Sequence, residues 1–117
     1  MEQTALLDLQ RRWEARPTLR LASPVFSGGD VPWDLLERIA DDIRHQPGVA
    51  AANVGLEQSE MSQGVTATIA LARPSPPGAA ADEAIRLLAE ASAHAGLICD
   101  ALKEVVVEMA DVDPRSL

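Results

Sequence analysis

Residues 65–71 read Val-Thr-Ala-Thr-Ile-Ala-Leu, and this stretch decides the fold class. Larger apolar residues alternate with threonine and alanine, which is the two-residue period of a β-strand. The face formed by Thr66, Thr68 and Ala70 is small and uncharged. Because a strand face that meets water usually carries charged side chains, this pattern predicts a central strand whose second face is an interface.

Strand and helix patterns alternate on both sides of this strand. Polar residues over 57–64 connect it to a weaker strand as a hairpin, and Pro47-Gly48 stops the helix before that strand. Gly96 is suited to follow a second helix because glycine accepts the left-handed conformation found there. The predicted elements are a strand over 19–25, a helix between Asp30 and Pro47, a strand over 49–58, the strand at 65–71, a helix between Asp82 and Gly96, and a strand within 97–109.

This order predicts an α+β protein with the ferredoxin-like βαββαβ arrangement, an antiparallel four-stranded sheet with two helices on one face. In front of it, residues 4–15 have a helical pattern. Leu6, Leu9 and Trp13 form its apolar stripe, and Pro17 ends it. The predicted organisation is an N-terminal amphipathic helical arm over 1–17, a single α+β domain over 18–112 and a flexible tail over 113–117.

The charge distribution argues against two classes of partner. The chain has a net charge of −8, whereas proteins that bind nucleic acid or anionic lipid usually present a basic surface. Residues 1–20 nevertheless hold four arginines against three acidic groups. Arg11, Arg12 and Trp13 form a small cationic and aromatic patch there. Such a segment fits an arm that docks on an acidic surface, and it equally fits a solvated helix face.

Composition also limits cofactors and location. The chain has only three aromatic residues, so we expect no bound cofactor. No apolar run reaches the length of a membrane span, and the N-terminus lacks a signal-peptide pattern. A single cysteine excludes a disulfide within the chain. These features predict a cytoplasmic protein with no direct membrane insertion.

Two histidines lie at ligand spacing on the predicted helices. Asp41 and His45 are four residues apart, and Glu90 and His94 repeat the spacing, so each pair can face one metal ion. No cysteine or histidine cluster completes either pair. A favourable interaction of each histidine with the end of its helix explains the same spacing. We therefore expect no metal site, with these four residues as the weak candidates.

Cys99 is the one candidate nucleophile, with His94 five residues upstream. A reactive thiol needs a base or a cation beside it, and the acidic surroundings argue instead for a structural cysteine. We therefore predict no catalytic residue.

The leading hypothesis is a non-enzymatic interaction or assembly module that self-associates or docks a partner protein through its sheet and N-terminal helix. Its predicted contact residues are Leu6, Leu9, Arg12, Trp13, Thr66 and Thr68. One alternative is a small regulatory domain that binds a small ligand or a metal ion. A second alternative is a small enzyme that uses Cys99 or carboxylates.

Overall fold

The computed structural model of the protein describes residues 13–22, 33–58 and 62–109. These ranges hold four β-strands and two α-helices, so the chain is an α+β protein. In chain order the elements are β1 (Trp13–Leu21), α1 (Trp33–Arg44), β2 (Val49–Gln58), β3 (Gln63–Leu71), α2 (Pro77–His94) and β4 (Cys99–Met109).

The strands form one antiparallel sheet in the order β2-β3-β1-β4. β1 therefore has a partner on each side: Leu19 lies opposite Val65 of β3 and opposite Leu102 of β4. β2 and β4 are the edges. The pairing of β1 with β4 contains two register irregularities, one between Thr18 and Leu19 and one between Arg20 and Leu21. These irregularities change which side chains of β4 point to each face.

One face of the sheet carries the hydrophobic core. Val65 and Ile69 of β3 and Ala15 of β1 are fully buried, because alternate residues of these strands point toward the helices. Both helices contribute to the same cluster of buried side chains, so they pack on this one face. Their buried residues are Leu36, Ile39, Ala40 and Ile43 of α1, and Ala80, Ala84, Leu87, Leu88, Ala91 and Ser92 of α2.

Helix α2 begins at a proline and is followed by a glycine, and each residue suits its position. Pro77 opens its first turn, where the missing N–H costs no helical hydrogen bond. At the other end Gly96 adopts a φ of +88°, and the Leu97 N–H donates to the Ser92 carbonyl over 2.9 Å. This is a Schellman motif, and it returns the chain toward β4. The helix thus starts before the predicted Asp82, because proline favours the first turn.

The predicted ferredoxin-like βαββαβ sandwich preceded by an amphipathic helix is wrong as a whole, because part of the segment assigned to that helix belongs to the first strand. The antiparallel four-stranded sheet with two helices on one face is confirmed. Trp13 to Arg16, the end of the predicted helical arm, are extended and belong to β1, and the sheet has the order β2-β3-β1-β4. Pairing on both sides overrides the helical spacing of the apolar residues, since Ala15 lies opposite Ile69 and Val107. Pro17 lies inside the strand instead of ending a helix. Residues 1–12 lie outside the described part of the chain.

The close approach of β3 to β1 at Gly64 generates a stability prediction. A Cβ atom at Gly64 would lie 2.9 Å from the Leu19 carbonyl oxygen, whereas at Gly55 the nearest atom, Thr66 Cγ2, is 3.7 Å away. We expect Gly64→Ala to lower the free energy of unfolding by about 1–3 kcal/mol through overpacking. Gly55→Ala is the matched control and should change it by less than about 1 kcal/mol. Equal denaturation midpoints for the two variants would contradict this.

Candidate functional site

The candidate site is the face of the sheet that points away from α1 and α2, named here the open face. Its residues follow from the register, because paired residues of neighbouring strands point to the same side. Thr18, for example, lies opposite Thr66 of β3 and Glu104 of β4, and none of the three belongs to the core. The open face comprises Ala51, Asn53, Gly55 and Glu57 of β2, Gly64, Thr66, Thr68 and Ala70 of β3, Glu14, Arg16, Thr18 and Arg20 of β1, and Ala101, Glu104, Val106 and Glu108 of β4.

Apart from Glu57 at its edge, the half of the open face formed by β2 and β3 has short, uncharged side chains. At its border with β1, the Thr18 hydroxyl donates to Thr66 Oγ1 over 3.1 Å. The Thr66 hydroxyl donates in turn to the Pro17 carbonyl over 3.3 Å. This half is named the floor, and its residues are Ala51, Asn53, Gly55, Gly64, Thr66, Thr68 and Ala70.

Long charged side chains stand on the other half, formed by β1 and β4. Arg16 Nη2 lies 2.8 Å from Glu108 Oε1. Arg20 donates to both carboxylate oxygens of Asp100, over 2.8 and 3.1 Å. These side chains are named the charged ridge, and they are Glu14, Arg16, Arg20, Asp100, Lys103, Glu104 and Glu108.

One ion pair crosses the sheet from edge to edge. Lys103 Nζ on β4 lies 2.8 Å from Glu57 Oε1 on β2. Strands are spaced about 4.8 Å apart, so the two edge strands are separated by roughly 14 Å. Both side chains must therefore extend toward each other along the open face. Gly64, opposite Glu57 in the register, has no side chain that would obstruct this path.

The ridge holds three cationic and four acidic side chains, and its ion pairs are exposed to solvent. The hydrogen bond from Arg20 is the main cause that lowers the pKa of the Asp100 carboxyl below its ordinary value, and desolvation opposes it. The Arg16 and Glu108 side chains are 45% and 55% exposed. Water screens exposed ion pairs, so they add little to stability. The ridge charges are therefore able to change partners without unfolding the protein.

The predicted contact residues divide between the two faces of the sheet. Thr66 and Thr68 are half-buried on the floor, as residues of a central strand. Trp13 packs against the core on the helix side, where its Nε1 donates to the Ser75 carbonyl over 2.7 Å. Leu6, Leu9 and Arg12 lie outside the described residues. Trp13 therefore serves the core and does not share a surface with the two threonines.

The candidate metal ligands are engaged with other partners. Asp41 Oδ1 accepts a hydrogen bond from Arg44, and both Glu90 oxygens accept from Arg86. His45 Nδ1 lies 2.7 Å from the carbonyl oxygen of Asp41, so it donates to the backbone rather than facing the carboxylate. His94 Nδ1 reaches Asp42 Oδ2 of α1 over 3.0 Å. Within the described ranges no three histidine, cysteine or acidic side chains come together to hold a metal ion.

Cys99 opens β4 on the core side, opposite Leu21, and is half-buried. Burial is the main cause that raises the pKa of its thiol, and the negative charge of Asp100 raises it further. A hydrogen bond with Ser92 acts in the opposite direction. The thiolate, which is the nucleophilic form, is therefore scarce near neutral pH.

Two depressions lie beside the helices. One, of about 230 Å³, is lined by Arg38, Asp42 and His94 between α1 and α2. The other, of about 320 Å³, lies near the start of α2 and is lined by Arg73 and Ser75 among others. Sites that enclose a small organic ligand usually measure about 300–1,000 Å³, so the first depression is smaller than such sites and the second is at the lower end of their range.

Comparison with known proteins assigns no family to this chain. No protein-family model matches the sequence, and no curated protein matches it significantly. No helix in the described ranges combines the length and the apolar character needed to cross a membrane.

The sequence pattern did not identify the charged ridge. Asp100, Lys103 and Glu104 do not follow a two-residue period, because the register irregularities of β4 shift successive side chains between faces. The four arginines before residue 21 were a visible signal, and two of them, Arg16 and Arg20, lie on the ridge. Their partners on β4 are recognisable only once the strands are paired.

The environment of Cys99 predicts slow alkylation. We expect the pH profile of its reaction with iodoacetamide to have a higher midpoint in the folded protein than in the urea-unfolded chain, whose thiol has an ordinary pKa near 9.0. Asp100→Asn removes one charge that raises the pKa, so it should lower the folded midpoint, while Glu104→Gln serves as a control. A folded midpoint below the unfolded one would contradict the assignment.

The Arg20–Asp100 pair predicts a specific dependence of stability on pH. Because the folded pKa of Asp100 lies below its ordinary value of 3.8, the pair stabilises the fold above that value. The contribution disappears as the pH falls through the folded pKa. We expect Arg20→Gln to lower the urea midpoint at pH 7 and to have a smaller effect at pH 2.5. Arg73→Gln is the control, and an Arg20→Gln effect that grows in acid would contradict the sign.

Proposed function

We propose that this protein is a non-enzymatic interaction or assembly module that acts through its open face, by self-association or by docking a partner protein. The observation that carries the proposal is the division of this face into an uncharged floor and a charged ridge. Protein interfaces combine closely packed small or apolar areas with polar rims that determine orientation. The open face has both parts side by side on one rigid sheet.

The proposed interaction surface does not include an N-terminal helix. Trp13 is a strand residue whose indole contributes to the core, so the predicted helical surface does not include it. The sheet supports the proposal without that helix, because Thr66 and Thr68 lie on a strand with partners on both sides. Backbone held in this way presents side chains in a fixed arrangement.

Both alternative functions have weaker support. A metal site would have to separate Asp41 from Arg44 and Glu90 from Arg86, and the two histidines have different partners. An enzyme that uses Cys99 would need a thiolate, whereas burial and Asp100 raise the thiol pKa. Metal binding would therefore require the loss of existing hydrogen bonds, and formation of the thiolate would be unfavourable.

Site-specific photo-crosslinking in the native host tests the proposal. A benzoylphenylalanine at Glu104, an exposed residue of the open face, should give a protein adduct under ultraviolet light. The same probe at Ala93, an exposed residue of α2, should not. We expect Thr68→Lys, which places a long side chain on the floor, to reduce the adduct by roughly tenfold or more, because a side chain of this length prevents close contact with the floor.

The control for Thr68→Lys is Ala89→Lys on the exposed side of α2. It should leave the adduct unchanged. The absence of an adduct from Glu104, or equal yields from Glu104 and Ala93, would show that the open face is not an interaction surface.

A further inference from the structure

We propose that the partner of the open face is a second copy of this chain, related by a two-fold axis parallel to the strands. This inference rests on the proposed function and identifies the molecule that covers the same surface. The two halves of the open face differ in the length of their side chains, and the charged groups lie mainly on one half.

The axis lies midway between the two facing sheets and, viewed onto the open face, runs between β1 and β3. Each half of one copy's open face then covers the opposite half of the second copy's open face. β1 of one copy then lies over β3 of the second copy, and β4 lies over β2. The charged ridge of each copy therefore meets the floor of the other. Two sheets pack face to face in this aligned way, about 10 Å apart, in many β-proteins.

The register shows how the heights match. Glu104, Thr18, Thr66 and Gly55 form one row across the sheet. In the two-fold arrangement, Glu104 therefore lies over Gly55 of the second copy. Arg20 lies opposite Gly64 in the next row, so its side chain lies over the second copy's Gly64. Two long side chains of each copy, Glu104 and Arg20, thus meet positions that lack a side chain.

The charges match in the same arrangement. Lys103 on β4 lies over β2 of the second copy, because the two-fold axis preserves the position along the strands. Its side chain reaches Glu57 there, since the two residues are close enough along the sheet to form an ion pair within one chain. Association exchanges two pairs within chains, one in each copy, for two equivalent pairs between chains. The only floor-side acidic residue of the open face therefore meets a cation, and no like charges are brought together at this row.

The available area fits a specific but moderate dimer. Four strands and nine residues per strand give a face of roughly 19 by 31 Å, or about 600 Å² per copy. The total of about 1,200 Å² is at the lower end of stable protein interfaces. Interfaces of this size are typical of weak or transient complexes, so we expect association to respond to dilution and to charge reversal.

Mixing two charge-reversed variants separates contacts between chains from contacts within a chain. Lys103→Glu alone places two acidic groups together in each self-pair, and Glu57→Lys alone places two cations together. Each variant should show an association constant at least about tenfold lower than that of the unmodified chain in sedimentation velocity at low salt. An equimolar mixture should recover association, because each interface contact then joins a lysine to a glutamate.

Contacts within one chain give a different result, since each variant keeps its own like-charged pair and mixing restores nothing. The double variant Lys103→Glu, Glu57→Lys should associate by itself. Glu90→Lys on α2 is the matched charge control and should associate like the unmodified chain. Circular dichroism melts of each variant establish that it is folded.

Failure to associate by the unmodified chain at about 200 µM, or failure of the mixture to recover association, overturns the second-copy inference. The photo-crosslinking result distinguishes this failure from failure of the proposed function. An adduct of Glu104 with a different protein would leave the open face as a docking surface for that protein. If Glu104 forms an adduct neither with a second copy nor with a different protein, both proposals are overturned.

Discussion

The pairing of β1 with β3 and β4 is the constraint on which the rest of the structure depends. With β1 in the interior, Ala15 and Leu19 complete an apolar face together with Val65 and Ile69 of β3. That face needs a cover, and α1 and α2 supply it. The same pairing leaves Arg16, Thr18 and Arg20 on the opposite side, so the core and the open face are two consequences of one register.

The two faces have different roles in the energetics. The core side is closely packed, and buried alanines of α2 such as Ala84 let that helix lie near the sheet. Burial of apolar surface there supplies most of the stability. The open face contributes little by comparison, because its ion pairs are half exposed. Charges that are not needed for folding are available for recognition, which is the basis for assigning the interaction to that side.

Short side chains and glycines have a positional reason on the open face. Gly64 allows the backbone of β3 to approach the Leu19 carbonyl, and it leaves room for the ion pair between Lys103 and Glu57. The Thr66 hydroxyl donates a hydrogen bond to the carbonyl of Pro17, a residue that has no N–H of its own. Strand packing therefore explains the short side chains of the floor. Short side chains are also what the charged ridge of the proposed second copy would require. One set of residues therefore meets a structural requirement and also fits the proposed interaction.

Local pattern determined the central strand, the hairpin and the C-terminal ends of the two helices. The alternation over residues 65–71, the stripe from Leu36 to Ile43, and Gly48 and Gly96 each encode their conformation within one segment. Thr66 and Thr68 could be placed on a second strand face for the same reason. Their neighbours on the open face could not, because those neighbours come from other strands.

Only the tertiary structure decided the conformation of residues 13–16, the faces of β4 and the contacts of the candidate site. The spacing of Leu6, Leu9 and Trp13 favours a helix locally, but at Trp13 strand pairing with Met109 prevails. The ion pair of Lys103 with Glu57 joins residues 46 positions apart. Periodicity within one segment carries no information about such contacts, because the register between distant strands and its irregularities arise only when the strands pair.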